Sequence, residues 1–255
     1  MPKSLEIYLN SKKRLKELES YHLMDTEPEE YLDEITQIAS AICDTPISLI
    51  SLLDNKRQWF KSKQGLDVKE TPVEDAFCRY AISTSSDEVF TVEDALQDDR
   101  FTQNPLVTGN PYIRFYAGAP LRTPSGEGLG TLCIIDREKR TITEDQKTAL
   151  KLLAKNVMRY LNNRKRIHEQ QQIIEKFNDK VDALSNEAPG ALIQFKRTPE
   201  KKLHINYVSN GIYSLHPNLD PEKMVEDIEH WFDDMETSDA LEIRNKLQKL
   251  CIDHP

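Results

Sequence analysis

Residues 112–136, YIRFYAGAPLRTPSGEGLGTLCIID, constrain the fold more than any other part of this 255-residue chain. Two runs rich in β-branched, aromatic and small residues flank TPSGEG, a Pro/Ser/Gly cluster that reverses a chain, so the stretch reads as a β-hairpin. In the first run Ile113, Phe115, Ala117, Ala119 and Leu121 share one face of a period-2 strand, and Arg114, Tyr116, Gly118, Pro120 and Arg122 share the other. The first set belongs to a core. The second offers a guanidinium, a phenol and a glycine that lets a partner approach the backbone, which suits the wall of a pocket. A sheet whose second face is merely wet produces the same pattern. The register of the second run is open, and a one-residue slip exchanges Leu132 for Cys133 on the pocket face.

The rest of the chain supplies a sheet around that hairpin. The N-terminal residues to about Leu23 carry Leu5, Leu9, Leu15 and Leu18 among charges, the spacing of an amphipathic helix, assigned here to residues 1–27. A second helix is expected over 27–43, with Thr26 as N-cap, Pro28 in the first turn, Glu29 at the capping-box position and a buried stripe of Ile35, Ile38, Ala39 and Ile42. TPISLISLLD (45–54) has apolar residues on both faces and reads as a central strand, and RQWFKSKQG (57–65) returns with Trp59 and Phe60 on opposite faces. EDAFCRYAIS (74–83) has the i, i+4 pairs of a short helix, EVFTVED (88–94) reads as a strand, and residues 94–111 form a loop long enough to be a lid.

Beyond the hairpin, residues 143–185 contain neither Pro nor Gly and read as one helix, which at ~1.5 Å per residue reaches roughly 65 Å. Its first half has the core stripe Leu150, Leu153, Val157 and Leu161. Its second half repeats Ile167, Gln170, Ile174, Phe177, Val181 and Leu184 at the spacing of a coiled-coil seam. EAPG (187–190) ends the helix, after which 191–209 reads as strand, turn, strand, followed by short helices.

Composition narrows the partners. With 38% hydrophobic and 30% charged residues the chain is globular, and no apolar run approaches the ~20 residues of a membrane helix. Charge and hydrophobic residues interleave at the start, unlike a signal peptide, so a cytoplasmic location is expected. The net charge of -9 argues against a nucleic-acid surface. Cys43, Cys78, Cys133 and Cys251 show no CxxC pairing, which disfavours zinc, and no histidine lies between Leu23 and Ile167 to ligate haem.

Ordered blocks through the first two-thirds of the chain (LMDTEPEE, PISLISLLD, RQWFKSKQGL, ETP, AFCRYAI, DALQDDRF, NPLVTG, IRFYAGAPL and GTLCIID) resemble a GAF domain of the kind common in bacterial sensor histidine kinases and cyclic-di-nucleotide enzymes. The resemblance implies an α+β fold with a six-stranded antiparallel sheet, helices on one face, and a ligand pocket on the other beneath loops and short helices. The domain is assigned to residues 28–160 and the coiled-coil signalling helix to 161–187. APGALIQF, INYVSNGI and HWFDDMETSDALEIRNKL resemble the first part of a PAS domain, assigned to 188–255 and lacking its final strands. Tyr80 stands where the subgroup usually has His; the Asn-Lys-Phe-Asp signature of cyclic-nucleotide binders and the Cys-His anchor for bilin are absent, which disfavours both ligands.

The candidate pocket residues are Trp59, Phe77, Cys78, Arg114, Tyr116, Gly118 and Cys133. Arg114 is either a fixed fork for a carboxylate or phosphate or the partner of Asp94 or Asp136 in a structural ion pair. Cys78 and Cys133 are either a redox pair, as in the methionine-sulfoxide reductases with this fold, or small buried hydrophobes. No catalytic constellation, Gly-rich phosphate loop or output domain is visible, so the chain reads as non-enzymatic. The expected role is the input module of a signalling protein, sensing an unidentified small ligand or partner and relaying it through a homodimer built on 161–187. A redox enzyme and a ligandless dimerisation scaffold are the alternatives.

Overall fold

The computed structural model describes residues 3–84, 86–187, 193–197, 203–209 and 225. The chain divides into two compact units, Met1–Glu169 and Gln170–Pro255. The first is built on six antiparallel strands: β1 (Ile47–Leu53), β2 (Arg57–Gln64), β3 (Glu70–Pro72), β4 (Phe90–Val92), β5 (Phe115–Arg122) and β6 (Gly128–Asp136). Their spatial order is β3-β2-β1-β6-β5-β4. The expected hairpin is the β5–β6 pair. β1, apolar on both faces, lies inside the sheet with every residue buried, since neither face can meet water. β3 is a three-residue edge strand ending in Pro72, a residue tolerated at an edge because no ladder donor is needed there.

Both faces of the sheet are covered by protein. On one face α3 (Glu30–Cys43) and the first part of α6 (Glu144–Glu187) pack Leu32, Ile35, Ala39, Leu150, Val157 and Leu161 against Leu52, Phe115, Ala117 and Leu132. On the other, α1 (Lys3–Leu9), α4 (Cys78–Ser83) and the loop holding α5 (Pro105–Thr108) cover Leu49, Phe60, Tyr116, Cys133 and Ile135. The second face of β5 is therefore a second core rather than a wet surface.

Several local expectations differ. The N-terminal helix is two helices, α1 and α2 (Lys12–Glu19), because the Ser11 hydroxyl accepts from the Arg14 amide and starts a new helix. The break turns Arg14 inward: its guanidinium is completely buried and donates to the main-chain carbonyls of Leu9 and Leu53, each at 2.7 Å. α3 begins three residues later than predicted, at Glu30, with Glu29 as a cap residue that makes no capping bond. Thr26 instead donates to the Leu23 carbonyl at 2.7 Å, and Glu29 reaches Lys61. The buried stripe of α3 is Leu32, Ile35, Thr36, Ala39, Ser40 and Cys43, leaving Ile38 and Ile42 exposed. Two hydroxyls take buried positions because they have partners: Thr36 lies 3.0 Å from the Ser62 hydroxyl, and Ser40 donates to the Thr45 carbonyl.

β1 and β2 pair with a bulge opposite Ile50/Ser51, where Ile50 faces Ser62 and Ser51 faces Phe60. Lys61 is the extra residue. A bulge re-aims its side chain, and here the ammonium is fully buried on the helix side of the sheet, bonded to the Thr26 hydroxyl, the Glu27 carbonyl and the Glu29 carboxylate at 2.7, 2.6 and 2.6 Å.

The second unit begins within α6, whose residues 170–180 are all exposed. It contains the antiparallel pair β7 (Ile193–Arg197) and β8 (Leu203–Val208), the two strands expected within 191–209. The helical part of the expected PAS segment lies outside the described residues. Among the described residues no helix is long and apolar enough to cross a membrane.

Candidate ligand pocket

The face of the sheet opposite α3 and α6 holds a cavity of about 180 Å³. Its floor is Leu49 of β1, Gln58 and Phe60 of β2, Tyr116 of β5 and Ile135 of β6; its walls are Leu66 and Val68 after β2, Phe77, and the loop residues Leu106, Pro111 and Ile113. The floor follows from period 2. Gln58 and Phe60 share one face of β2 while Trp59 takes the other, and β5 and β6 add Tyr116 and Ile135 from positions that are directly paired. Aromatic packing stiffens one wall, with Phe77 stacked on Phe101 at 3.9 Å and on Tyr116 at 5.3 Å between ring centroids. Arg137 and Asp67 stand at the rim, both exposed. Three larger grooves, of about 760, 700 and 270 Å³, lie beside Lys61, Arg140 and Arg122, and the first two are lined largely by charged and polar side chains.

Gly65, at φ +73°, makes the turn that brings the 65–68 wall over the floor. A side chain there would overlap the Pro46 carbonyl.

Residues 27–161 match the family model of the GAF domain. The chain belongs to the GAF domain family. A protein of Pseudomonas aeruginosa named as a cyclic di-GMP phosphodiesterase is 52% identical over 118 residues, a match covering 46% of this chain and 20% of that protein. Among solved structures, the free methionine-R-sulfoxide reductase of Neisseria meningitidis is similar at 17% identity and a TM-score of 0.46, over 62% of this chain and 95% of that one. The GAF domain of an Acinetobacter phosphoenolpyruvate-protein phosphotransferase gives 16% identity and 0.45, over 60% and 95%.

Within this GAF domain the seven predicted residues separate into distinct places. Phe77 and Tyr116 line the cavity. Trp59 does not: it lies on the other face of β2, in the core beneath α3 and α6. Gly118 is close-packed, but the group over it is the phenol ring of Tyr116, which a side chain at 118 would strike at 2.8 Å from Cζ. Arg114 precedes β5 and does not line the cavity. Its guanidinium donates to the carbonyls of Val107 and Ile113 at 2.9 and 3.0 Å, so it pins the 105–113 loop rather than pairing with Asp94 or Asp136. Asp136 is bonded instead to Arg140.

Cys78 and Cys133 are fully buried on the cavity side of the sheet, outside the cavity lining, as free thiols. Burial pushes Cys133 up to about 12, against weaker opposing hydrogen bonds from Thr131 and Tyr116. Burial, and then the neighbouring Cys133, raises Cys78 as well. Nucleophilic and redox chemistry run through the thiolate, a form both environments oppose. Alkylation with iodoacetamide at neutral pH will therefore leave Cys78 and Cys133 unmodified in the folded protein and label both in denaturant. Peptide mass spectrometry reads the outcome, and rapid labelling of either in the native state would contradict this placement.

Gln58, Phe60, Leu106 and Ile113 are cavity residues that sequence reasoning passed over. For Gln58 a signal existed: it is a polar side chain two residues from Phe60 in a strand whose neighbours on that face are apolar.

Proposed function

We propose that the chain is the sensory input segment of a signalling protein, in which the GAF cavity holds a small ligand and α6 relays its occupancy through a homodimer. What carries the reading is the position of β2. On one face it places Gln58 and Phe60 in the cavity; on the other its bulge places Lys61 against Glu29, which also accepts a 2.7 Å hydrogen bond from Tyr160 of α6. A ligand that shifts β2 therefore acts on the cluster that anchors α6, and it biases the helix by as much as its affinities for the two arrangements differ. A mostly apolar cavity with polar groups inside supports a ligand sensor over a ligandless scaffold. The buried thiols weigh against the redox reading. The Pseudomonas relative supports an output that makes or breaks cyclic di-GMP in preference to a histidine kinase; the chain spans about a fifth of that relative.

Native mass spectrometry of the purified chain, with a thermal-shift screen of metabolites, tests the sensor. A retained small molecule or a stabilising compound is expected; a chain that carries none and responds to none sinks it.

The relay rests on α6 after Glu169, where Ile174 and Phe177 are 59% and 65% exposed and recur with Ile167 at seven- and three-residue intervals. Apolar side chains so spaced are the seam of a coiled coil, and the occupant proposed is a second copy of the same helix. Sedimentation of the intact chain is expected to give a dimer, and the double variant Ile174→Asp, Phe177→Asp a monomer with the melting temperature of the GAF domain unchanged. A wild-type monomer at high concentration, or a variant that still dimerises, would refute the relay.

A further inference from the structure

The cavity contains polar groups that the protein leaves unpaired. Gln58 is 94% buried on the cavity floor (6% of its surface remains accessible), and its side-chain amide makes no hydrogen bond with any described residue. Directly opposite it on β3, the Thr71 hydroxyl oxygen is buried and also lacks a partner. The Thr71 oxygen is sealed from solvent, and folded proteins almost always satisfy such groups; the Gln58 amide keeps its small accessible surface, so its hydrogen-bonding edge stays open to the cavity. Around the pair every other floor side chain is apolar or aromatic: Leu49, Phe60, Tyr116 and Ile135.

We infer that Gln58 is the specificity-determining residue of the cavity and that the ligand is a neutral, single-ring molecule with an amide-type edge, such as a lactam, a pyrimidinone or a ring carboxamide. The inference rests on the sensor reading and adds the class of molecule sensed. Four observations define the class. A primary amide presents one acceptor and two donors, so its complement is an edge carrying a donor beside an acceptor. The aromatic and aliphatic floor takes the flat body of a ring by contact. The volume, about 180 Å³, is below the ~300 Å³ where drug-sized pockets begin, which suits one ring better than a cyclic dinucleotide. Charge is excluded from the floor because no described carboxylate, lysine, arginine or histidine faces it from the strands; Asp67 and Arg137 are at the rim, in water.

The test uses the intact chain with three probes: 2-pyridone and nicotinamide, which carry the edge, and toluene, which has the ring alone. Titrations followed by thermal shift and by ligand-observed NMR are expected to show 2-pyridone or nicotinamide binding at least tenfold more tightly than toluene. Gln58→Leu keeps the volume and removes the amide. It should cut affinity for the amide probes at least tenfold and leave toluene unaffected, in a protein that still unfolds cooperatively in urea. Gln58→Glu, with an acceptor-only head when ionised, should lose the amide probes as well. If toluene binds as tightly as the amide probes, or Gln58→Leu binds them unchanged, the cavity takes ligands but this assignment is wrong. If none of the three probes binds the wild-type chain, the assignment is wrong as well. The metabolite screen then judges the sensor reading separately, because a ligand of another class would still register there.

Discussion

Gly130→Ala is expected to destabilise the fold severely. Gly130 lies in β6 between two strands, opposite Leu52 of β1 and Leu121 of β5. A methyl group there would overlap the Ser51 carbonyl oxygen and stand 2.7 Å from its carbon and 2.9 Å from the Leu52 Cα. These are backbone atoms of a fully buried central strand, so no side chain can swing aside; the strands must part. Overpacking costs about 1–3 kcal/mol where side chains can adjust, and a rigid obstacle places this substitution at about 3 kcal/mol or more, against a total stability of roughly 5–15 kcal/mol. Gly126→Ala is the control: at φ +86° in the hairpin turn, with nothing within 4 Å of the new carbon, it carries only the backbone penalty of about 1–2 kcal/mol. Urea denaturation of both variants measures the difference. A Gly130→Ala protein as stable as Gly126→Ala would mean that β1 and β6 are not paired in this register.

The second large effect is expected at Lys61. Lys61→Ala should remove about 3 kcal/mol at neutral pH, the low end of the cost of breaking a buried pair, because Glu29 retains a fifth of its side-chain surface in solvent. Burial by itself would raise the Glu29 carboxyl, but hydrogen bonds from Lys61 and Tyr160, and the charges of Lys61 and Arg164, outweigh it and hold it below its ordinary value. A carboxyl depressed in the folded state contributes stability above its unfolded pKa and loses that contribution as pH falls through the folded one. The gap between wild type and Lys61→Ala should therefore be full at neutral pH and close below about pH 4. Replacing both partners, Glu29→Met with Lys61→Met, should recover most of the loss, since an apolar pair leaves no buried charge. Urea midpoints measured from neutral to acid pH decide it; a gap that stays constant with pH would place the cost of Lys61→Ala in packing rather than charge. The same variant probes the relay, because it cuts β2 from the Glu29 carboxylate that Tyr160 of α6 also binds.

Much of the architecture was legible in the residues. The β5–β6 hairpin, the doubly apolar β1, the opposed Trp59 and Phe60, and the uninterrupted α6 each follow from a local period of 2 or 3.6 that neighbours do not alter. Where the reading missed, a distant partner outbid a local rule. Thr26 and Glu29 have the spacing of a capping box, yet a buried lysine 35 residues away claims the Thr26 hydroxyl, and the Glu29 carboxylate goes to the same ammonium. Ile38 and Ile42 have the spacing of a core stripe, yet the hydroxyls of Thr36 and Ser40 found buried partners and turned α3 onto a different face.

The sequence by itself determined that the sheet has two unlike faces and which side chains share each one. Alternation says no more than that. Tertiary structure decided what covers each face, and with it the site. The register that sets Gly118 opposite Cys133 and Ala119 opposite Leu132 sends the cysteine toward the pocket side and the leucine beneath the helices. The crossing of α3 and α6 buried Trp59 in a core, and the 105–113 loop drew Arg114 onto its own carbonyls. The same assembly closed a small cavity over Gln58 and left its amide without a partner, since a strand's period aims a side chain but only the elements packed above it settle what that side chain meets.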